Sequence, residues 1–390
     1  MLDVVVVGGG PVGLFMAALL LQRGVSVRVL EQRPEPNPHS RAIGIHPPSL
    51  VALDGIGVAP ALIAEGVQIR RGLAIGGGAE VAAMSFDAVS GRYPFVLSLP
   101  QARTEAVLER RVKELDSGAL QRGVTVTGLH DDGGTVAVDV VTAGGGEART
   151  CAALAVAADG VHSTVRQLLG VPATLREHPD AYLMGDFADS TAFGADAALF
   201  LERPGIVESF PLPGGVRRWV ARLPAAGTEP TSAAFLAHVV RERTGIAVDA
   251  ASNSMLSSFG VRSRLAKRMI RGRTALIGDA AHEISPIGGQ GMNLGWLDAA
   301  ALAPLILSRL ALRDTERNLG CFESRRLQAA ARASRQAVIN MALGRPLPAP
   351  LWHVRNRLIG FAGGTPAINS RVAARFTMHW GHQVPASPVK

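Results

Sequence analysis

The sequence predicts an α/β chain: a Rossmann-like domain of parallel strands and helices, an inserted β-sheet lobe of α+β character, and C-terminal helices. Three observations predict it. The opening residues read as strand, glycine-rich turn, helix, strand and acid. Two later apolar runs, Leu154–Ala158 and Thr274–Ile277, each lead into a loop holding an Asp-Gly or Gly-Asp pair. Between them, short strand-like segments are separated by turn residues such as Pro213-Gly214-Gly215. A length of 390 residues suits two lobes, at ~100–200 residues per domain.

The first element is the most informative. Asp3 to Val7 is a β-branched run of the kind buried on both faces of a sheet. Gly8-Gly9-Gly10-Pro11-Val12-Gly13 follows, then a predicted helix over Leu14–Arg23 ended by Gly24, then a strand over Val25–Leu30. In this pattern Gly8 permits the tight turn and Gly10 lets the backbone approach a pyrophosphate. Gly13 lets the helix lie close to the sheet, and the helix N-terminus faces the phosphates. Glu31, 18 residues beyond Gly13, is placed to accept hydrogen bonds from a ribose. An acid there disfavours a 2′-phosphate, which leaves FAD and NAD.

The second motif is Asp159-Gly160-Val161-His162-Ser163-Thr164-Val165-Arg166. The third runs from Gly278-Asp279 through His282 to Ser285-Pro286-Ile287-Gly288-Gly289-Gln290-Gly291-Met292-Asn293. It opens a predicted helix over Met292–Leu310, in which Pro304 removes a backbone donor and predicts a kink. With these three motifs in this order, the chain resembles the group A flavoprotein monooxygenases, the para-hydroxybenzoate hydroxylase-like family of FAD-dependent hydroxylases. The resemblance covers residues 1 to about 330.

The resemblance implies non-covalently bound FAD, held by Gly8, Gly10, Pro11, Val12 and Gly13 at the pyrophosphate and by Glu31 at the adenosine ribose. Gln32, Arg33 and Arg41 stand where the family places contacts to ribose and phosphates, and Gln101 where it places a glutamine on the flavin. Asp159 and Arg166 belong to a motif linked to FAD and nicotinamide binding. Asp279 would hold the ribityl chain. Pro286, Gly289, Gly291, Met292 and Asn293 would lie along the isoalloxazine. Free N–H groups at the start of the helix would stabilise the negative charge of reduced flavin. Pro286, beside the oxygen pocket, and His46, just beyond Arg41, are the catalytic candidates. His282 reads as structural.

The implied reaction is hydroxylation of an aromatic or polyketide-like substrate by O₂ through a flavin C4a-hydroperoxide, with NAD(P)H as transient reductant. The cofactor carries that chemistry, so no acid–base constellation is expected. The run Ser285–Asn293 also resembles quinone-pathway hydroxylases. That leaves a hydroxylase, epoxidase or reductase acting on a quinone or isoprenoid as the alternative.

Other classes are excluded. No second G-x-G-x-x-G follows a strand; Gly76–Gly78 reads as a hairpin turn between Ile69–Ile75 and Val81–Phe86. Cys151 and Cys321 form neither a Cys-x-x-Cys pair nor a disulfide framework, and no metal site is expected. The halogenase Trp-x-Trp-x-Ile-Pro motif is missing among Trp219, Trp296, Trp352 and Trp380. No thioredoxin-like C-terminal domain is expected. The net charge is +8, but only Lys113, Lys267 and Lys390 are lysines and the arginines are scattered. A nucleic-acid surface would be a stripe; this field at most attracts anionic dinucleotides. Val12–Leu21 is half the ~20 residues of a spanning helix, and no basic segment precedes it. A cytoplasmic chain is expected.

The predicted division is 1–70, 99–178 and 265–340 for FAD, 71–98 and 179–264 for substrate, and a helical segment at 341–390. Strands are expected at Ala198–Glu202, Ile206–Pro211 and Arg217–Leu223, with Phe200, Phe210 and Trp219 as aromatic faces for a flat substrate. Tyr93 and Tyr182 are the only tyrosines, so a tyrosine relay is not expected. A further helix is predicted over Arg325–Met341. The tail is expected either to cover the cofactor's rear or to mediate association, as a monomer or homodimer.

Overall fold

The computed structural model describes residues 1–37, 41–87, 91–224 and 231–379. Val4 to Val7 carry apolar side chains on both faces, which only a central strand can bury. Strand Leu2–Val7 accordingly pairs in parallel with Val27–Glu31 on one side and Glu147–Ala157 on the other. Thr274–Leu276 extends the parallel array beyond Glu147–Ala157, and Leu120–Arg122 extends it beyond Val27–Glu31. An antiparallel ribbon of Val124–Asp131 and Val136–Thr142 branches from the first half of Glu147–Ala157. The carboxyl ends of the parallel strands thus meet at one edge of the sheet, the usual place for a ligand in such an array.

Helix Pro11–Leu21 starts three residues before the predicted Leu14. Proline suits the first helical position, where its missing N–H would have had no partner. The helix is buried almost all round, between Gln101–Leu115 and Gly291–Leu310. Leu14, Phe15 and Met16 are fully buried, each worth ~1.5–3 kcal/mol. Trp296 Nε1 donates to the Pro11 carbonyl at 3.0 Å, tying the two helix starts together.

A second sheet runs, in spatial order, His282–Glu283, Met255–Ala266, Ala173–Ala188, Val216–Leu223, Val207–Leu212, Ala197–Phe200, Arg71–Gly76 and Ala79–Ser85. The predicted turns fall at Pro213–Gly215 and at Gly77-Gly78, where φ of +65° and +78° requires glycine. Strand His282–Glu283 comes directly after the Gly278-Asp279 turn, so that turn joins both sheets. Helix Gly291–Leu310 continues through Pro304. The helix predicted over Arg325–Met341 is longer, Glu316–Leu343. The tail forms Ala349–Gly364 and Pro366–Phe376, packed against the edge strand Ala79–Ser85. Trp380 and the rest of the expected C-terminal segment, 380–390, lie outside the described residues. No helix among the described residues is long and apolar enough to cross a membrane.

Candidate active site

A cavity of about 1080 Å³ opens at the carboxyl ends of Leu2–Val7, Val27–Glu31 and Glu147–Ala157 and runs on beneath the second sheet. Pockets for one small ligand usually measure ~300–1,000 Å³, so this one is above the upper end of that range.

One end is built from backbone. Gly8 has φ +104°, and a Cβ there would lie 2.4 Å from the Ala158 carbonyl oxygen. A Cβ on Gly13 would lie 1.9 Å from the Gly8 oxygen. Gly13 therefore acts through packing and does not line the cavity, a correction to its expected cofactor contact. Gly10 differs: it lines the cavity, and a Cβ there would meet nothing within 4 Å. That space, in front of a helix N-terminus, is what a pyrophosphate needs. Pro11 and Val12 line the same stretch.

Glu31 is 4% exposed; its Oε2 accepts from Gly9 N at 2.7 Å, and its Oε1 accepts from the backbone N (2.9 Å) and Nε (3.2 Å) of Arg33. It braces the glycine turn while still lining the cavity beside Gln32 and Arg33. Gln101 lines the cavity at the start of its helix, donating to Glu105 Oε1 at 2.7 Å. Arg41 lies over the Phe259 ring at 5.4 Å and donates to Ser257 Oγ at 3.2 Å.

Asp159 also lines the cavity. Its Oδ2 accepts from Val165 N at 3.0 Å, its Oδ1 is buried with no partner, and burial pushes its pKa up. Arg166 corrects the expectation for its motif. It points away from the cavity and donates to the carbonyls of Ala280 (2.8 Å) and Val161 (3.3 Å), so it ties two loops together.

Asp279 is half-buried and faces the cavity. Burial pushes its pKa up to about 6, opposed by His282 and reinforced by Glu283 and Asp298. Below it lies a fully buried cluster. Asp298 Oδ2 meets His282 Nε2 at 2.5 Å and accepts from Gly278 N at 3.0 Å, while Oδ1 accepts from Arg326 Nε at 2.5 Å. Burial disfavours a charged His282, but the Asp298 carboxylate outweighs it and holds the imidazole pKa above its ordinary value. His282 is structural, as expected.

Gly288 and Gly289, at φ +97° and +65°, turn the following loop so that Pro286, Gly289, Gly291 and Met292 line the cavity. The first N–H groups of helix Gly291–Leu310 have no intrahelical acceptor and start at this wall. Asn293 does not lie on the cavity, contrary to expectation. It is fully buried and clamps the loop: Oδ1 accepts from His46 N at 2.8 Å, and Nδ2 donates to Gly44 O (2.9 Å) and Gly289 O (2.8 Å). His46 does line the cavity, edge-on to Phe376 at 6.1 Å. Burial lowers its pKa to about 4, against hydrogen bonds with the backbone of Gly288 and Gly289, so the ring is neutral near pH 7.

The other end is built from side chains of the second sheet. Alternation along the strands decides which ones. Leu199, Leu201, Glu208, Phe210, Arg218 and Val220 face the cavity. Phe200 and Trp219 face the opposite side, stacked on each other at 5.9 Å in a core with Leu236 and Val240. Of the three expected substrate aromatics, only Phe210 is at the cavity. Opposite the sheet stand Ile359, Ala362, Val372 and Phe376 from the two tail helices. Sequence reasoning missed this wall, and the one available signal was the apolar content of those helices.

The residues fit FAD: a glycine turn with open space before a helix N-terminus, an orphaned Asp159 oxygen, and Asp279 at the cavity wall. Residues 1–337 match the family model described as FAD binding domain. The chain is 34% identical over 372 residues to 12-dehydrotetracycline 5-monooxygenase/anhydrotetracycline 6-monooxygenase of Streptomyces rimosus subsp. rimosus, spanning 89% of this chain and 70% of that protein. The chain belongs to the FAD-dependent monooxygenases of the FAD-binding-domain family. Its cofactor is FAD, and NAD(P)H is the co-substrate typical of the family. This monooxygenase is also 30% identical to rifampicin monooxygenase of Streptomyces venezuelae, over 98% of this chain and 81% of that one. Among solved structures, OxyS anhydrotetracycline hydroxylase from Streptomyces rimosus superposes with a TM-score of 0.79 at 29% identity, covering 97% of this chain and 76% of that one.

Proposed function

We propose that this enzyme uses NAD(P)H and O₂ to hydroxylate a flat, hydroxylated, multi-ring aromatic molecule. The observation that carries the reading is the continuous cavity of about 1080 Å³ that joins the glycine turn to an apolar chamber. The relatives named for tetracycline intermediates and for rifampicin support a large aromatic substrate. In this reading residues 1–70, 99–178 and 265–340 hold FAD, 71–98 and 179–264 hold substrate, and the tail helices close the chamber.

The roles follow from placement. Gly8, Gly10, Pro11 and Val12 give the pyrophosphate close approach to backbone and helix N-terminus. Glu31 accepts from the adenosine ribose, with Gln32, Arg33 and Arg41 beside it. Asp159 meets the cofactor through its unpaired oxygen. Asp279 accepts from a ribityl hydroxyl, and Gln101 contacts the flavin. The start of helix Gly291–Leu310 faces the flavin's electron-rich edge. Pro286, the neutral His46 and the apolar chamber keep water from the reacting oxygen. FAD, when bound, supplies hydride uptake and dioxygen activation. Substrate, NAD(P)H, a proton and O₂ become hydroxylated substrate, NAD(P)⁺ and water. A cytoplasmic monomer or homodimer completes the reading.

The test is product analysis. Purified enzyme should be yellow with FAD released by denaturation, and phenols or fused aromatic polyketides should accelerate NAD(P)H oxidation. Under isotopically labelled dioxygen the product should carry one labelled oxygen atom. Acceleration that yields only hydrogen peroxide with every such substrate overturns the reading.

A further inference from the structure

Glu208 sits in strand Val207–Leu212, opposite Leu199 on one neighbouring strand and Val220 on the other. Its carboxyl faces the cavity, yet the residue is only 8% exposed. Burial alone shifts its pKa, and among the described residues no hydrogen bond or ion pair reaches it. The charged groups on this side of the sheet are otherwise engaged. Arg218 donates to both oxygens of Asp186 at 2.6 and 2.8 Å and to the Arg41 carbonyl at 2.5 Å. Asp180 accepts from Arg222 at 3.0 Å and from Arg345 at 2.8 Å. From the next helix layer, Arg243 donates to the Arg222 carbonyl at 2.7 Å, and Arg355 to the Leu201 carbonyl at 2.5 Å. Tyr182, close enough to feel the Glu208 charge, has a buried hydroxyl with no partner.

A carboxyl held in an apolar wall without a partner is costly. A cavity position is where such a group has a use, because a ligand can complete it. We propose that Glu208 binds the phenolic hydroxyl of the substrate and takes its proton as the ring is oxygenated. The inference rests on the aromatic-substrate reading above. The O–H bond breaks toward Glu208, and its electron pair enters the ring as the new carbon–oxygen bond forms. NAD(P)H supplies two of the four electrons that reduce O₂ and the substrate ring the other two. The O–O bond breaks as one oxygen bonds to the ring, and the second leaves as water. The hydrogen on that ring carbon is then lost as a proton while the phenolic oxygen regains one, which restores the aromatic ring. Glu208 moves only the proton and returns it to solvent. Burial raises the carboxyl pKa to about 7, so it is a far better base near neutrality than an exposed glutamate.

The test compares FAD-loaded wild type, Glu208→Gln and Glu208→Leu on a panel of phenols, naphthols and their methyl ethers. Wild type should oxygenate the free hydroxyls in preference to the ethers, with kcat rising with pH through about 7. Glu208→Gln should lose that rise, lose the preference, and lower kcat roughly a hundredfold. Glu208→Leu should bind the phenols more weakly, read from perturbation of the flavin spectrum, while retaining FAD and melting no lower than wild type. Melting and FAD content separate a failed fold from a failed base. An unchanged pH profile and phenol preference in Glu208→Gln overturn the proposal and leave the substrate reading standing. A wild type that holds FAD but oxygenates no panel member overturns both.

Discussion

The two ends of the cavity are made of different material. At the end proposed for FAD the wall is largely backbone: Gly8, Gly10, Gly289 and Gly291, with short turns after three parallel strands. Those turns are held from behind by buried polar groups. Glu31 braces Gly9, Arg166 spans two loops, Asn293 clamps Gly44 to Gly289, and Asp298 holds Gly278. At the end proposed for substrate the wall is branched and aromatic side chains from sheet strands and tail helices, with few polar groups. In the proposed reading the first end presents fixed backbone groups to the shared cofactor. The second can change side chain by side chain without disturbing the first.

The sharpest way to break that comparison is to remove a support from each end. Asp298→Ala leaves Arg326 and His282 buried without their partner, and should cost ~3–5 kcal/mol. Trp219→Ala opens the core behind the substrate sheet, also at ~3–5 kcal/mol. Melting curves should drop similarly for both, but only Asp298→Ala should release FAD, because Gly278 and Asp279 sit on that cluster. Equal loss of FAD in both variants would mean the ends are not independent.

A smaller effect separates two glycines in one motif. Gly13→Ala forces a Cβ toward the Gly8 oxygen, and should cost ~1–3 kcal/mol of stability. Gly10→Ala meets open space, so it should melt like wild type yet bind FAD more weakly, because its methyl fills the cofactor's place. Matching changes in melting and FAD affinity for the two variants would contradict the division of roles.

The FAD end was legible in the sequence because close approach demands particular residues at particular spacings. Gly8, Gly10, Glu31 and Asp279, all read from the motifs, line one cavity. What the motifs did not reveal is direction. Arg166 and Asn293 lie inside motifs, but their side chains turn inward to hold the loops. At the substrate end, the strands were legible and their facing was not. Strand Val216–Leu223 is buried along nearly its whole length, and both faces mix arginine with apolar side chains, Arg217 beside Trp219 on one and Arg218 beside Val220 on the other, so alternation alone cannot say which one meets the cavity. Phe210 pairs across the ladder with Arg218, and Ser209 with Trp219, and that register decides the matter. The tail helices reach the chamber through contacts far apart in the chain, which no local pattern encodes.

Phe210→Ala tests the facing directly. It removes a ring from the chamber wall without touching the Phe200–Trp219 stack. The KM for an aromatic substrate should rise about tenfold, or about 1.4 kcal/mol, and peroxide released per NAD(P)H should increase. FAD affinity should stay unchanged. A shift in FAD affinity with no change in KM would place Phe210 at the wrong end.

The smallest predicted effect is a pH step in FAD binding. Asp279 has a pKa raised to about 6 in the apoprotein, from the ordinary 3.8 of an aspartate. The folded chain therefore holds this proton longer than the unfolded chain. Its contribution to apoprotein stability is present below the unfolded value and is lost as pH rises through about 6. FAD weakens that preference, because a ribityl hydroxyl donates more strongly to a carboxylate than to a neutral acid. The gain between the two is about 1 kcal/mol, so FAD should bind about fivefold more tightly above the step than below it. Asp279→Asn keeps an acceptor oxygen but cannot ionise, so its FAD affinity should be weaker and flat across this range. Its apoprotein should also lose less stability between pH 4 and pH 7 than wild type. Flavin fluorescence quenching on binding, measured at closely spaced pH values, reads the step; the same step in Asp279→Asn would assign it to another group and leave Asp279 as a turn residue.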